Sequence, residues 1–430
     1  MTPELKTIRL SEVVFDEVIY PRKDHDPALV QRYVDVLGEI EAAQKYIAVS
    51  SDFKLLDGKH RWLAYRKQSG DVDRDIKVFV YPATAPHDQL KLSAKLNSEH
   101  GWQLSEKDKE RTAKALYQYG SSFDEIAATL FVGKKKVSEW LSRTVKDNKA
   151  KRDAKIREMW LACYTQEEVA EAVGCTQPTV KGIIDDFIKL VSENQNYKDA
   201  ISAAHATNFD PPIYNVWKQQ EKSKGSSHFG NSEARWVDNL LYLYTEPFDV
   251  VVDPFAGGGS TIDVCRKRLR RYWVSDRKPI VEREDDIRKH DITTGLPRLP
   301  RWQDVRLVYL DPPYWKQAEG EYSDDPEDLA NMTLEKFNEE LAGLISGFAK
   351  KLKGTGAKIA LILQPTQWRA PERQYTDHVA DMLRTIKLPV EMRIQAPYES
   401  QQATAQMVEW AKETKSILVL SREIVVWSVP

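Results

Sequence analysis

The tetrapeptide Asp311-Pro312-Pro313-Tyr314 follows the apolar run Val305-Arg-Leu-Val-Tyr-Leu310, as a turn would follow a buried strand. A carboxylate, a rigid prolyl pair and an aromatic ring at one strand end can hold a flat amine. The exocyclic amine of a nucleic-acid base is a poor nucleophile, because its lone pair is delocalised into the ring. Asp311 and the Pro312 carbonyl, whose direction the Pro312–Pro313 segment fixes, can accept its N–H groups while nitrogen becomes tetrahedral. Tyr314 offers a face for the base, with stacking on the order of 1–3 kcal/mol. A base inside a duplex must flip out to reach such a turn. By itself the tetrapeptide reads first as an ordinary turn after a strand; its weight comes from a second stretch upstream.

That stretch is Asp253-Pro254-Phe255-Ala256-Gly257-Gly258-Gly259-Ser260, after the apolar run Phe248-Asp-Val-Val-Val252 and before a predicted helix over 262–268. Residues with little or no side chain let main chain approach a ligand, and a helix N-terminus favours its carboxylate. Tyr272-Trp-Val-Ser-Asp276 reads as a second strand ending in an acid, placed for ribose hydroxyls. Asp291 ends a third, short one, placed near an adenine. The loop lacks both the GxGxxG spacing of dinucleotide sites and the GK[ST] of a P-loop. Together the two stretches predict methyl transfer from S-adenosylmethionine to an exocyclic amine. Cys163, Cys175 and Cys265 follow Ala, Gly and Val, and none ends a strand, which argues against covalent attack on a ring carbon.

Three regions must carry these turns. Residues 205–430 alternate strand and helix, with strands predicted at 248–253, 272–276, 305–310, 357–363, 390–396, 416–420 and 424–428. The fold class is α/β, a Rossmann-like sheet with helices on both faces; the last two strands read as an antiparallel hairpin across Ser421-Arg-Glu423. Residues 101–200 read as all-helical. Leu104-Ser-Glu-Lys-Asp108 resembles a capping box, and two helix–turn–helix patterns follow, at 122–141 and 165–184. Lys134, Lys135 and Lys136, with Gln177, Thr179 and Lys181, are the candidate DNA contacts. The basic run from Arg143 to Arg157 reads as a solvated helix face or a phosphate-binding one. Residues 1–100 form a small α+β region, with helical spacing over 27–40 and a strand at 76–81 that stops at Pro82.

The chain has 430 residues and a net charge of −2, so any nucleic-acid contact must come from local basic patches. Three scattered cysteines without a CxxC pair argue against a disulfide framework and a zinc site; no metal is expected. Asp24, His25, Asp26 and Asp57 have no spacing that requires a metal. No apolar run approaches a membrane span, and no signal-peptide core opens the chain. The expectation is a protein without membrane contact, cytoplasmic and nucleoid-associated, in a prokaryotic cell or a phage-infected host.

Residues 205–430 resemble the amino-methyltransferase family of DNA-modification enzymes. Asp253–Gly259 matches its cofactor motif and Asp311–Tyr314 its catalytic motif, in the order of one of the family's permutation classes. The stretch Phe229-Gly-Asn231-Ser-Glu233, continuing through Leu240 to Pro247, resembles the family's extra cofactor motif and places Asn231 at the cofactor. Asp in the first catalytic position favours adenine N6, whereas cytosine-N4 enzymes more often carry Ser there. Little chain remains for a target-recognition domain, so sequence reading is expected in the N-terminal half, and Trp315 to Met332 as a mobile flap.

That half resembles the ParB/sulfiredoxin superfamily. Ile19-Tyr-Pro-Arg-Lys23 matches its early Pro-Arg, and Leu55-Leu-Asp-Gly-Lys-His-Arg61 its phosphate-binding turn. Lys59 stands where sulfiredoxin needs cysteine, which excludes reductase chemistry. Gly58-Lys-His-Arg61 departs from the Gly-Glu-Arg-Arg of ParB-like proteins, leaving a phosphate-contacting or a purely structural turn.

The resemblances imply a site-specific methyltransferase acting on double-stranded DNA, most directly at adenine N6, with cytosine N4 as alternative. They leave open a homodimer and a cognate restriction endonuclease. A further alternative is a ParB-like partition or regulatory protein with a vestigial transferase domain.

Overall fold

The structure is a computed structural model and describes residues 2–99, 104–193, 212–218, 233–299, 301–317, 324–367, 375–397 and 404–430. The chain divides into two compact units, Met1–Lys151 and Arg152–Pro430. The division falls inside the helix Lys134–Leu161, so the region expected as one helical body, 101–200, is shared between the units.

In the first unit, β1 (Glu4–Arg9), β2 (Ile47–Ser50), β3 (Leu55–Asp57) and β4 (Asp75–Tyr81) form a four-stranded sheet in the order β1-β4-β2-β3. The helical spacing predicted over 27–40 is two helices, Pro27–Asp35 and Leu37–Ala42. The first helix–turn–helix pattern folds as Phe123–Leu130 followed by Lys134 onward. Ser122 accepts from the Glu125 N–H and Glu125 accepts from the Ser122 N–H, so two otherwise orphaned donors are satisfied. Ile126, Leu130, Val137 and Leu141 pack with Leu90, Ala113 and Leu116.

In the second unit, seven strands form one mixed sheet. They are β5 (Val250–Asp253), β6 (Arg271–Asp276), β7 (Arg288–Lys289), β8 (Val305–Leu310), β9 (Lys358–Leu363), β12 (Val390–Pro397) and β13 (Ser421–Ser428). A separate ribbon pairs β10 (Thr366–Gln367) with β11 (Tyr375–Thr376). The sheet order is β12-β13-β9-β8-β5-β6-β7. The strands from β9 to β7 are parallel, while β13 runs antiparallel to both β9 and β12.

Alternate residues of the central strands enter two different cores, which is why these strands read as continuous apolar runs. Val251, Leu307 and Ile362 face the helices Gln166–Val173, Gln177–Glu193, Ala234–Tyr244 and Ser260–Lys267. Val252, Val308 and Leu361 face Leu334–Lys351 and His378–Thr385. The second helical pair is therefore part of this unit: Trp160, Phe187 and Phe248 cluster with ring centroids 5.2–6.3 Å apart. A buried ion pair, Arg268 to Asp238, ties the helix Ala234–Tyr244 to the segment after Ser260–Lys267.

The expected hairpin of 416–420 with 424–428 does not form. Residues 416–420 are not a strand, and β13 pairs instead with β12 and β9. The run Ser416-Ile-Leu-Val-Leu420 has β-forming residues, but both edges of β13 are already taken. Among the described residues no helix is long and apolar enough to cross a membrane, and no cluster of His, Cys, Asp and Glu is arranged to hold a metal ion.

Candidate active site

From β5 the chain steps outward to β6 and β7, then returns to the other side of β5 as β8. Loops leaving neighbouring strands in opposite directions open a crevice at the carboxyl ends. A cleft of about 950 Å³ lies there. It brings together Asp253, Pro254, Phe255, Ala256, Gly257, Ser260, Asp276, Asp291, Asp311 and Pro313. Pro312 is buried behind it, and Tyr314 is half-buried beside Asp311. Asn231 lies outside the described residues.

The glycine-rich loop is braced from within. Asp253 is buried at 2% exposure. Its carboxylate accepts from the Phe255 N–H at 2.9 Å and from the Thr261 hydroxyl at 2.6 Å. Burial nevertheless pushes its pKa up to about 7, with those two hydrogen bonds opposing and the charges of Asp311 and Asp276 assisting. Asp253 thus shapes the loop rather than presenting a bare carboxylate to the cleft. The loop is also pinned to the second strand end. The Ala256 N–H donates to the Ser275 carbonyl at 2.9 Å, and the Gly257 N–H to Asp276 Oδ2 at 3.0 Å.

Gly257 and Gly259 have φ of 49° and 81°. Gly259 caps the helix Ser260–Lys267, and a Cβ on it would stand 3.1 Å from the Arg283 guanidinium. That arginine is itself held by Asp263 through two contacts of 2.9 Å.

Asp291 follows β7 and caps its own turn, accepting from the Thr293 N–H at 3.0 Å. Its other oxygen meets Arg277 Nε at 3.3 Å. Arg277 also reaches Asp325 at 2.6 Å and Asp328 at 3.8 Å. One cation therefore joins the turn after β6 to the segment expected as a flap. The described ends of that segment are anchored: Trp315 Nε1 donates to the Met332 carbonyl at 2.8 Å and the Lys316 N–H to the Ala330 carbonyl at 3.0 Å.

Asp311 is held by its own turn. The Tyr314 hydroxyl donates to Asp311 Oδ1 at 3.0 Å. Burial raises the Asp311 pKa to about 6, while Arg422 and the Tyr314 hydrogen bond pull it back. Arg422 lies over the Tyr314 ring at 5.0 Å.

The next residue is braced by a relay. Thr366 donates its single proton to the Trp315 carbonyl at 3.0 Å, so it accepts from His378 Nε2 at 2.8 Å. His378 is therefore the Nε2–H tautomer. Burial lowers its pKa to about 4, which keeps it neutral at ordinary pH.

The candidate DNA contacts fall in both units. Lys134, Lys135 and Lys136 are exposed at the start of the helix Lys134–Leu161. Lys134 pairs with Asp124 at 2.8 Å and Lys136 with Glu106 at 3.4 Å. In the second unit Gln177 donates to Glu167 at 2.8 Å, Thr179 shares a hydrogen bond with Thr176 at 3.0 Å, and Lys181 pairs with Asp185 at 3.3 Å. Such exposed pairs contribute about 0–1 kcal/mol each and exchange readily for phosphate.

At the turn before the helix Lys59–Ser69, the cations are used internally. Arg61 meets Asp57 at 2.7 Å and the Lys45 carbonyl at 2.9 Å; Lys59 Nζ donates to the Lys23 carbonyl at 2.7 Å. Asp26 caps the helix Pro27–Asp35.

Thr261, Arg277, Arg422, Thr366 and His378 were not singled out by the sequence. Thr261 lies in the loop's own continuation and Arg277 directly follows Asp276; Arg422, Thr366 and His378 come from distant chain with no local signal.

A family model described as DNA methylase, of the N6/N4 amino-methylase type, matches residues 134–279. The match takes in the glycine-rich loop and Asp276 and ends before Asp311. No curated protein matches the chain. Among solved structures, the chain is similar to the C-terminally truncated chromosome-partitioning protein ParB from Caulobacter crescentus complexed to the centromeric parS site. That similarity has 12% identity and a TM-score of 0.24, covering 44% of this chain and 92% of that one. The same protein complexed with CTP-gamma-S gives 12% identity and a TM-score of 0.19 over 42% and 99% of the two chains. A Pnob8-like ParB-N domain gives 14% identity and a TM-score of 0.22 over 33% and 69%. Likenesses this loose say nothing about what the chain binds or does.

Proposed function

We propose that the chain is an S-adenosylmethionine-dependent DNA methyltransferase acting on the exocyclic amine of a flipped base, adenine N6 before cytosine N4. The observation that carries the reading is the convergence of the Asp311–Tyr314 turn and the Asp253–Ser260 loop on one cleft where the strand order reverses. The sheet order, with its last strands antiparallel, supports a Rossmann-like methyltransferase fold. The match to the DNA methylase model supports the same chemistry.

The donor set suits the cofactor. The cleft is lined by more carboxylates than cations, among them Asp276, Asp291 and Asp311. Such a lining favours a sulfonium and disfavours a pyrophosphate. Asp276, at the end of β6, would hold ribose hydroxyls; the loop from Pro254 to Gly259 would lie along the main body of the ligand, with Ser260 at the helix start. Asp291 would face the adenine. When bound, S-adenosylmethionine supplies an electrophilic methyl group.

The protein's own groups do the rest. Asp311 and the Pro312 carbonyl accept the amine N–H groups, which favours the tetrahedral nitrogen over the planar one. The carboxylate must be ionised to accept both geometrically and electrostatically, so transfer falls as pH drops through about 6. Tyr314 supplies the ring against which the base is held. The exposed residues Lys134, Lys135, Lys136, Gln177 and Lys181, with the half-buried Thr179, would meet DNA.

The test is transfer of tritiated methyl to unmodified duplex DNA, with long-read sequencing to identify base and site. Wild type should label DNA. Asp311→Ala should lose at least 100-fold in rate and still bind cofactor by calorimetry. No labelling of any unmodified genomic DNA by wild type would overturn the reading.

A further inference from the structure

We propose that Arg422 is a positioning residue for the amine-accepting turn, clamping Tyr314 and keeping Asp311 in its ionised form. The inference rests on the methyltransferase reading above.

Three elements distant in sequence meet at this arginine. It lies on β13 and is buried at 9% exposure. Its guanidinium sits 5.0 Å from the Tyr314 ring centroid and 5.5 Å from that of Trp236, on the helix Ala234–Tyr244. A planar cation between two aromatic faces is the arrangement arginine makes and lysine does not. Tyr314 in turn donates to Asp311 at 3.0 Å. The guanidinium therefore fixes the ring, and the ring's hydroxyl fixes the carboxylate.

The charge matters as much as the shape. The titratable groups around Asp311 are Tyr314 on its own turn, Tyr309 on β8, Asp253 at the end of β5 and Arg422 on β13. Of these four only Arg422 is a cation. Burial favours a protonated Asp311, and a protonated carboxyl is a poorer acceptor for an amine. Arg422 opposes that effect, with the Tyr314 hydrogen bond.

Two substitutions separate charge from shape. Arg422→Gln removes the charge and keeps a planar amide; Arg422→Lys keeps the charge and loses the planar stack. For Arg422→Gln the acid limb of the transfer rate should move up by about one pH unit. For Arg422→Lys the limb should stay in place while the rate falls by about 3- to 10-fold. Cofactor affinity, measured by calorimetry, should change less than about twofold in both. An unmoved limb in Arg422→Gln with cofactor affinity intact overturns the proposal. If Arg422→Gln loses cofactor binding, Arg422→Lys decides: a wild-type rate across the pH range overturns the clamp, and a lowered rate with an unmoved limb supports it. Absence of transfer in wild type is a different outcome and removes the methyltransferase reading itself.

Discussion

Asp253 and Asp311 are carboxylates withdrawn from water at the ends of adjacent strands, and the two environments give them different work. Asp253 accepts from the Phe255 N–H and the Thr261 hydroxyl, yet its pKa rises to about 7 because burial outweighs those bonds. Its folded value is above its unfolded value, so the native state binds the extra proton. The stabilisation from that proton is complete below the unfolded value and is lost as pH rises through about 7. Asp253→Asn carries no charge to desolvate. Its melting temperature relative to wild type should therefore climb as pH is raised from 5 to 8, by several degrees across that range. A difference that is constant with pH would show that Asp253 is ionised throughout. The sequence reading places this residue in the loop as a ligand contact. Its side-chain partners, two and eight residues onward, become visible only when the loop is folded.

At the scale of elements, local signals were read most faithfully where they act locally. Ser105, in the stretch read as a capping box, accepts from the Asp108 N–H, and the structure also closes boxes at Ser122 with Glu125 and Thr165 with Glu168. The turns between the paired helices differ, however. Gly174 takes the left-handed conformation at φ 65°, whereas in the first pair Phe131 does so at φ 53° and Gly133 does not. A β-carbon in that region costs about 1–2 kcal/mol, and Phe131 is 55% exposed, so its ring returns little by burial. Phe131→Gly should stabilise the first unit by about 1 kcal/mol, read as a rise of a few degrees in its unfolding transition. A fall would mean that the exposed ring has a contact worth more than the strain. Strands were less faithful. The β-forming run at 416–420 found no edge to pair with, because β12 and β9 flank β13.

The whole molecule carries two separate sets of cores. Leu116, fully buried, packs with Ile126 and Leu130 in the first unit; the cleft and both faces of the large sheet belong to the second. Calorimetric unfolding should then show two transitions. Leu116→Ala should cost about 3 kcal/mol, lower one transition and leave the other in place, with cofactor affinity unchanged. If both transitions fall together, the units do not unfold independently. The same division bears on target reading. Lys134 to Lys136 lie in the first unit, while Gln177, Thr179 and Lys181 lie in the second, on a helical pair whose other side is part of the sheet's core. The N-terminal half expected to read sequence is thus divided between the two units, with its second helical pair in the unit that holds the cleft.

By itself the sequence determined the strands that end in Asp253, Asp276 and Asp311, the capped helix pairs and the glycines of the loop. Each depends on periodicity, turn chemistry or capping within a few residues, and such preferences survive in the linear chain. The tertiary structure alone decided what stands beside those acids. Arg422 reaches Tyr314 across more than a hundred residues, and His378 reaches Trp315 through Thr366. Arg277 joins Asp291 to Asp325 and Asp328. Those partners follow from strand order and from which face of each strand is buried. Both are settled by long-range pairing and packing, for which no local pattern of residues exists.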